Sequence, residues 1–234
     1  MQYNDFTVVL PTLNEGRNIA ALVSRLKEAY KGIRVIVTDD GSRDNTREES
    51  MRMEKKYGAV AFIDRKAGGK SQGLTASVID GIMASRTRFV VVMDADMQHP
   101  YSVVKEIADK LRSGDILVVG VRAGVEDWPL YRKAVSRALM LAGNAVLVIS
   151  GAQNCSDIFS GFFGLDRKFF IRTYRRNRRR FVGSGFKILF DLLKCIDRGS
   201  ANVSEAPYIF KSRKFGKSKA GARQALDLLR SFVS

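Results

Sequence analysis

The first half of the chain repeats one rhythm: a short, nearly unbroken apolar run rich in β-branched residues, then a longer stretch with apolar positions at helical spacing. The apolar runs are residues 6–10, 33–38, 59–63, 89–93 and 116–121, and the helical stretches between them are 18–30, 45–57, 71–85 and 101–112. Neighbouring side chains on a strand point to opposite sides, so a strand that is apolar at every position must be covered on both faces. Alternating helices supply that cover, and the pattern predicts an α/β fold, doubly wound around a mostly parallel sheet. In such sheets ligands bind beyond the carboxyl ends of the strands, so the residues that follow each run matter most.

Those ends are polar and acidic. The first run continues as Pro11-Thr12-Leu13-Asn14-Glu15, the second as Asp39-Asp40-Gly41-Ser42 and the fourth as Asp94-Ala95-Asp96-Met97-Gln98. Asp94 and Asp96 are two residues apart and project to one side of an extended chain. Two like charges that close favour a divalent cation. Hard carboxylate oxygens with open positions beside them suit Mg²⁺ or Mn²⁺, whose shell a substrate diphosphate completes. Gln98 is the next position on that side and could add an oxygen if the chain stays extended. Asp39 and Asp40 face opposite ways, so one can support the fold while the other reaches a ligand. Gly41-Ser42 allows a tight turn, and Ser42 or Asp44 is placed to cap the helix that begins near Asn45.

Other residues carry plainer readings. His99, before Pro100, reads as a turn residue sooner than as a ligand. Trp128 either touches sugar or lipid or anchors a loop, and Cys155 and Cys195 read as small hydrophobes. Residues 64–71 end like a P-loop, but Asp64 stands where the first glycine belongs. Gly183-Ser184-Gly185 lacks the third glycine of a dinucleotide fingerprint and follows an arginine run instead of a strand. Neither a P-loop nucleotidase nor a nicotinamide enzyme is indicated.

After Gly124 the rhythm changes. Residues 130–149 form a long amphipathic helical pattern, 159–165 a strand, 186–196 a helix and 206–210 a strand. With no repeat or linker, residues 1–234 read as one domain with a C-terminal elaboration. Two cysteines and one histidine exclude a zinc cluster or a disulfide framework and point to a reducing compartment. The polar first residues do not form a signal peptide. The most apolar stretch, residues 138–149, is about half of the ~20 residues that span a bilayer, so no transmembrane region is expected in this chain.

The net charge of +16 is concentrated: residues 165–223 hold 17 basic and 4 acidic residues, whereas residues 1–164 hold 22 and 19. Arg172, Arg175, Arg176, Arg178, Arg179 and Arg180 form a dense run, followed by Lys211, Arg213, Lys214, Lys217 and Lys219. A patch of this kind is a footprint for a polyanion, whether nucleic acid, anionic lipid or a phosphorylated substrate.

Taken together, the stretches VVLPTLNE at 8–15, VTDDGSRDNT at 37–46, MDADMQHP at 93–100, SDIFSGFFGLDR at 156–167 and FKSRKFGKSKAG at 210–221 resemble the family-2 glycosyltransferases of the GT-A fold. Within them the resemblance is to the polyprenyl-phosphate glycosyltransferases, dolichol-phosphate mannose synthases among them. It implies a nucleotide-sugar-binding half at 1–122 and an acceptor- and membrane-facing half at 123–234. Nucleotide-binding positions would be Pro11, Thr12, Asn14, Glu15, Asp40, Lys70 and Asp94, with Asp94, Asp96 and Gln98 around the metal. Arg122, Arg132, Arg213 and Lys219 would meet the acceptor phosphate. The catalytic set would be Asp94, Asp96, Arg122, Arg132, Asp157 and Arg213, with the role of Asp157 open between acceptor orientation, arginine pairing and weak base.

The implied reaction is inverting transfer of a sugar, mannose from GDP-mannose, to dolichyl phosphate at the cytoplasmic face of a membrane, with Mg²⁺ or Mn²⁺. Many relatives continue into transmembrane helices, so a missing segment or an anchoring partner is implied, and residues 130–149 could lie in the membrane interface or pack on the core. A hexose from another UDP or GDP donor passed to undecaprenyl phosphate is the nearest alternative. A basic nucleic-acid-binding module is the alternative from another class. Nucleic acid is not the expected partner, because it leaves the carboxylates at three strand ends unexplained.

Overall fold

The computed structural model describes residues 1–69, 73–126, 128–181 and 187–213. The predicted rhythm is there: β1 (Phe6–Thr12), α1 (Gly16–Ala29), β2 (Arg34–Asp39), α2 (Thr46–Tyr57), β3 (Val60–Asp64), α3 (Leu74–Ala84), β4 (Phe89–Val92), α4 (Val103–Arg112) and β5 (Leu117–Val125). Then come α5 (Leu130–Ile149), β6 (Phe163–Asp166), α6 (Arg167–Arg176), α7 (Ile188–Leu193) and β7 (Val203–Phe210). One seven-stranded sheet has the order β3-β2-β1-β4-β6-β5-β7, all parallel except β6, which runs antiparallel to both β4 and β5.

Alternation along the strands divides the interior into two layers. Val8 and Leu10 of β1 and Val91 of β4 face α1, α2 and α4 through Leu22, Met53 and Ile107, whereas Val9 and Val90 face α3, α6 and α7 through Ile82, Phe170 and Leu189. Glycine provides the close approach where α3 crosses the sheet: a Cβ on Gly81 would stand 2.4 Å from the Val9 side chain.

The last third holds an element that the sequence reading left as a charged run. Phe169, Phe170, Thr173 and Tyr174 recur at helical spacing, with Phe170 and Thr173 buried and the Asp166 carboxylate accepting the Phe169 N–H at 3.0 Å as an N-cap. The arginines therefore decorate the exposed side of α6 and the short 3₁₀ turn after it. By contrast α5 is scarcely packed: of its 20 residues only Gly143 and Leu147 are buried. Leu130, Tyr131, Val135, Leu141, Val148 and Ile149 are all at least 45% exposed. No helix among the described residues is long and apolar enough to cross a membrane.

Candidate active site

The register pairing of β1 with β4 runs from Phe6 and Phe89 to Val9 and Val92, and beyond that point the polar strand ends open. Much of their chemistry serves the framework. Asp39, not Asp40, is the structural member of its pair: it accepts from Thr12 Oγ1 at 3.0 Å, the Gly41 and Ser42 amides at 2.9 and 2.8 Å, and Ser42 Oγ at 2.5 Å. Asp40 reaches across to Arg65 and accepts the Gly73 N–H at 2.8 Å, while the buried Arg65 donates to Asp80 at 2.9 Å. Asn14 adopts a positive φ of 54°, takes Ser42 Oγ as acceptor for its own N–H and accepts from the Arg43 amide. The carboxylate of Asp44 accepts from the N–H and hydroxyl of Thr46 and from the Gly16 N–H at 3.0 Å, so it serves the first turns of both α1 and α2. Gly16 is required there, because a Cβ would lie 2.1 Å from Asn45 Oδ1. A cavity of about 380 Å³ opens beside this framework, lined by Asp39, Gly41, Ser42, Arg47, Phe62 and Asp64 among others.

The second group gathers beyond β4. The chain does not stay extended through Gln98: Met97 turns at φ 67°, so the Gln98 amide donates back to Asp96 Oδ1 at 3.1 Å. The Gln98 side chain donates to the Lys211 carbonyl at 2.9 Å. With the Ser212 bonds to Glu126, this pins the stretch after β7 over the site. Arg213 is thereby delivered onto Asp96, 2.6 Å from Oδ2, and within 3.5 Å of Glu15. Asp96 is nearly fully buried, and burial first, then the like charge of Asp94, raise its carboxyl above the usual range in spite of Arg213.

The donor set fits a hard divalent cation in one respect. Two carboxylates pressing on each other are relieved by a cation between them, with the rest of the shell left for water and substrate oxygens. Among the described residues no cluster of three or more His, Cys, Asp or Glu is placed to hold a metal alone.

The third group faces the second. Arg122, on β5, binds Asp157 in a bidentate pair, Nε at 2.6 Å and Nη2 at 2.7 Å, with Asp157 buried. Burial works against that charge, but the bonds from Asp157 outweigh it and raise the guanidinium further, and Asp94 adds to the effect. Trp128 sits 5.5 Å from Arg122 and 4.1 Å from Arg132, so the indole is a shared platform for the two cations. It packs edge-on against Phe210 and in that sense anchors the loop.

His99 corrects the sequence reading. It is no mere turn residue: it is buried, bonded to Asp94 and to Tyr208, and ringed by Phe162 and Phe210. Arg65, Glu126 and Tyr208 were also missed, and only the last had a signal, an aromatic alternating with Phe210 on a strand. Asp94, Asp96, Gln98, Arg213 and Glu15 come together, as do Arg122, Asp157 and Arg132, whereas Asp40 is engaged by Arg65. Lys70 and Lys219, and with them Lys214 and Lys217, lie outside the described residues.

Residues 7–174 match the profile of glycosyl transferase family 2. The dolichol-phosphate mannosyltransferase of Pyrococcus furiosus is 34% identical over 230 residues, 96% of this chain and 61% of that protein. The chain thus spans about three fifths of that relative. The dolichol-phosphate mannosyltransferase of Mycosarcoma maydis is 29% identical over 97% of this chain and 77% of its own. Among solved structures, glucosyl-3-phosphoglycerate synthase from Mycobacterium tuberculosis, in complex with Mn²⁺, uridine-diphosphate-glucose and phosphoglyceric acid, superposes with a TM-score of 0.66 at 20% identity, covering 97% of this chain and 79% of that one. That likeness is one of fold.

Proposed function

This chain belongs to glycosyl transferase family 2, and from that premise we propose that it moves a hexose, mannose from GDP-mannose, onto the phosphate of dolichyl phosphate at the cytoplasmic face of a membrane. The observation that carries the reading is the juxtaposition of two opposed charge systems: the Asp94–Asp96 carboxylates on one side and the Arg122–Asp157 pair with Arg132 on the other. The names of the archaeal and fungal relatives support the choice of sugar and lipid.

An acceptor phosphate is an anion already, so its oxygen needs no strong base to attack the anomeric carbon. Positioning and charge stabilisation carry the reaction. As the new C–O bond forms on one face of the sugar, the bond to the diphosphate breaks on the other and charge gathers on the leaving group. Arg122, held rigid by Asp157, presents a planar donor set to the incoming phosphate, and Arg132 on the Trp128 face adds a second cation. Asp94 and Asp96 would hold Mg²⁺ or Mn²⁺, which would supply Lewis-acid neutralisation of the departing diphosphate, while Gln98, turned away at Met97, ties down the Lys211 carbonyl instead. Asp157 acts here as the anchor of Arg122. The cavity beside Asp39 and Phe62 suits the nucleoside.

Two surfaces on the same side of the sheet support the membrane part of this reading. α5 offers exposed apolar side chains beside Arg132, Lys133 and Arg137, and α6 offers its arginines. The first is suited to the acyl boundary and the second to anionic headgroups.

The test is a labelled-donor assay with defined polyprenyl phosphates, with and without chelator. Transfer from GDP-mannose to dolichyl phosphate that stops with EDTA and in Asp96→Ala is the expected result. Transfer only from a UDP sugar, or only to undecaprenyl phosphate, would replace the sugar or lipid named here, and no transfer from any donor would overturn the reading.

A further inference from the structure

His99 is the single histidine of the chain and directly follows the carboxylate segment, yet it is 4% exposed. Both ring nitrogens are used: Nε2 lies 3.2 Å from Asp94 Oδ2 and Nδ1 lies 2.8 Å from the Tyr208 hydroxyl. An ionised carboxylate can only accept, so the Asp94 contact places the hydrogen on Nε2. In the neutral ring Nδ1 is then the acceptor for the Tyr208 O–H. Burial raises the Tyr208 phenol far above its ordinary range, so that group stays a donor. Phe162, Tyr208 and Phe210 close around the imidazole at centroid distances of 5.1–5.5 Å and leave the ring one orientation. Gly161 lies close against the same carboxylate, where a Cβ would stand 3.1 Å from Oδ2. Tyr208 is also the register partner of Arg122 across β5 and β7.

We propose that His99 is a positioning residue: it fixes the rotamer of Asp94 and, through Tyr208, ties that carboxylate to the strand pair that carries Arg122, so the donor-side and acceptor-side charges keep one separation. The inference rests on the reading of Asp94 and Asp96 as the pair that holds the metal. Residues that orient a metal-binding group act on its affinity by about 10- to 100-fold when removed, and this one would act on both substrates together.

The test uses the full chain and Mn²⁺ alone, with free Mn²⁺ read by electron paramagnetic resonance, and takes kcat and KM separately for donor and acceptor. His99→Leu is expected to weaken Mn²⁺ binding by about 10- to 100-fold. His99→Gln, which returns an N–H near the Nε2 position, should recover most of the loss, an outcome that packing alone does not produce. Tyr208→Phe, which keeps the ring and loses only the hydroxyl, should weaken Mn²⁺ severalfold and lower kcat more than it raises donor KM. Because there is one histidine, ¹⁵N chemical shifts of the imidazole report directly on hydrogen at Nε2 and none at Nδ1. A His99→Leu protein that folds and binds Mn²⁺ like the wild type overturns the inference, as does a Gln variant no better than Leu. Should His99→Leu fail to fold, Tyr208→Phe decides, and unchanged Mn²⁺ affinity and kinetics there overturn it. A wild-type protein that binds no Mn²⁺ even with GDP present sinks the metal reading itself, a result distinct from all of these.

Discussion

Arg122 and Asp157 show why a single side chain cannot be assigned a role from its type alone. With Asp157 buried, each charge is the other's main compensation. Removing one partner strands the other, at a typical cost of about 3 kcal/mol. Asp157→Asn is therefore expected to lower stability by about that amount in urea melts, and the double variant Arg122→Met with Asp157→Leu to regain it while transfer stays lost. A fully stable Asp157→Asn protein with a collapsed kcat would instead mark Asp157 as a base. Burial governs the thiols too: it pushes Cys155 up to about 12 and Cys195 in the same direction. Since only the thiolate reacts, iodoacetamide at pH 8 should label neither cysteine in the folded protein and both after unfolding. The carboxylates at the strand ends were legible because they directly follow unbroken apolar runs, but which of them serve the framework, as Asp39 does, was not, since that depends on partners from other strands. His99 was not, since a lone histidine before proline carries no pattern, and the Arg213–Asp96 contact joins residues 117 positions apart, which local sequence cannot encode.

Among the elements, α1 and α2 share a clasp. Asp44 accepts from the Gly16 amide and from Thr46, so one carboxylate satisfies donors at the start of two helices. Burial opposes its ionisation, but the Thr46 hydroxyl and the Gly16 and Thr46 amides more than offset this and hold the carboxyl below its ordinary 3.8. A depressed pKa contributes stability above the unfolded value that is lost as pH falls through the folded one. Asp44→Ala should cost about 1 kcal/mol at pH 7. The gap to wild type should narrow only below pH 3.8 in matched denaturant curves, and a gap that persists at lower pH would assign the effect to packing. β1 to β5 were readable within a few residues because strands buried on both faces are unbroken apolar runs. α6 was readable in principle from its aromatic stripe, and arginine density drew attention away from it. β7 begins three residues before its predicted start because Val203 pairs with Leu117, a match set by the neighbouring strand.

For the whole molecule, charge and apolar surface are arranged on the side of the sheet that carries α5, α6 and α7. Each basic residue near an anionic surface contributes about 1 kcal/mol, so replacing Arg175, Arg176 and Arg179 by Gln should weaken binding to phosphatidylserine vesicles by about 100-fold at low salt. Leu141→Asp should weaken it at every salt concentration, since that side chain would enter the acyl boundary. Adsorption unchanged by either, together with tight salt-sensitive binding to DNA, would move the basic third to another partner. The parallel sheet was foreseeable from the sequence, but the place of its one reversed strand was not, because strand order depends on contacts distant along the chain. That strand has a consequence for how the chain is made. β5 joins the sheet of the first half only through β6, which is synthesised some 40 residues later. On the ribosome β5 must wait with both edges bare until residue 166 has emerged, and a protein cut between 125 and 163 would leave two fragments that complete a sheet only by finding each other.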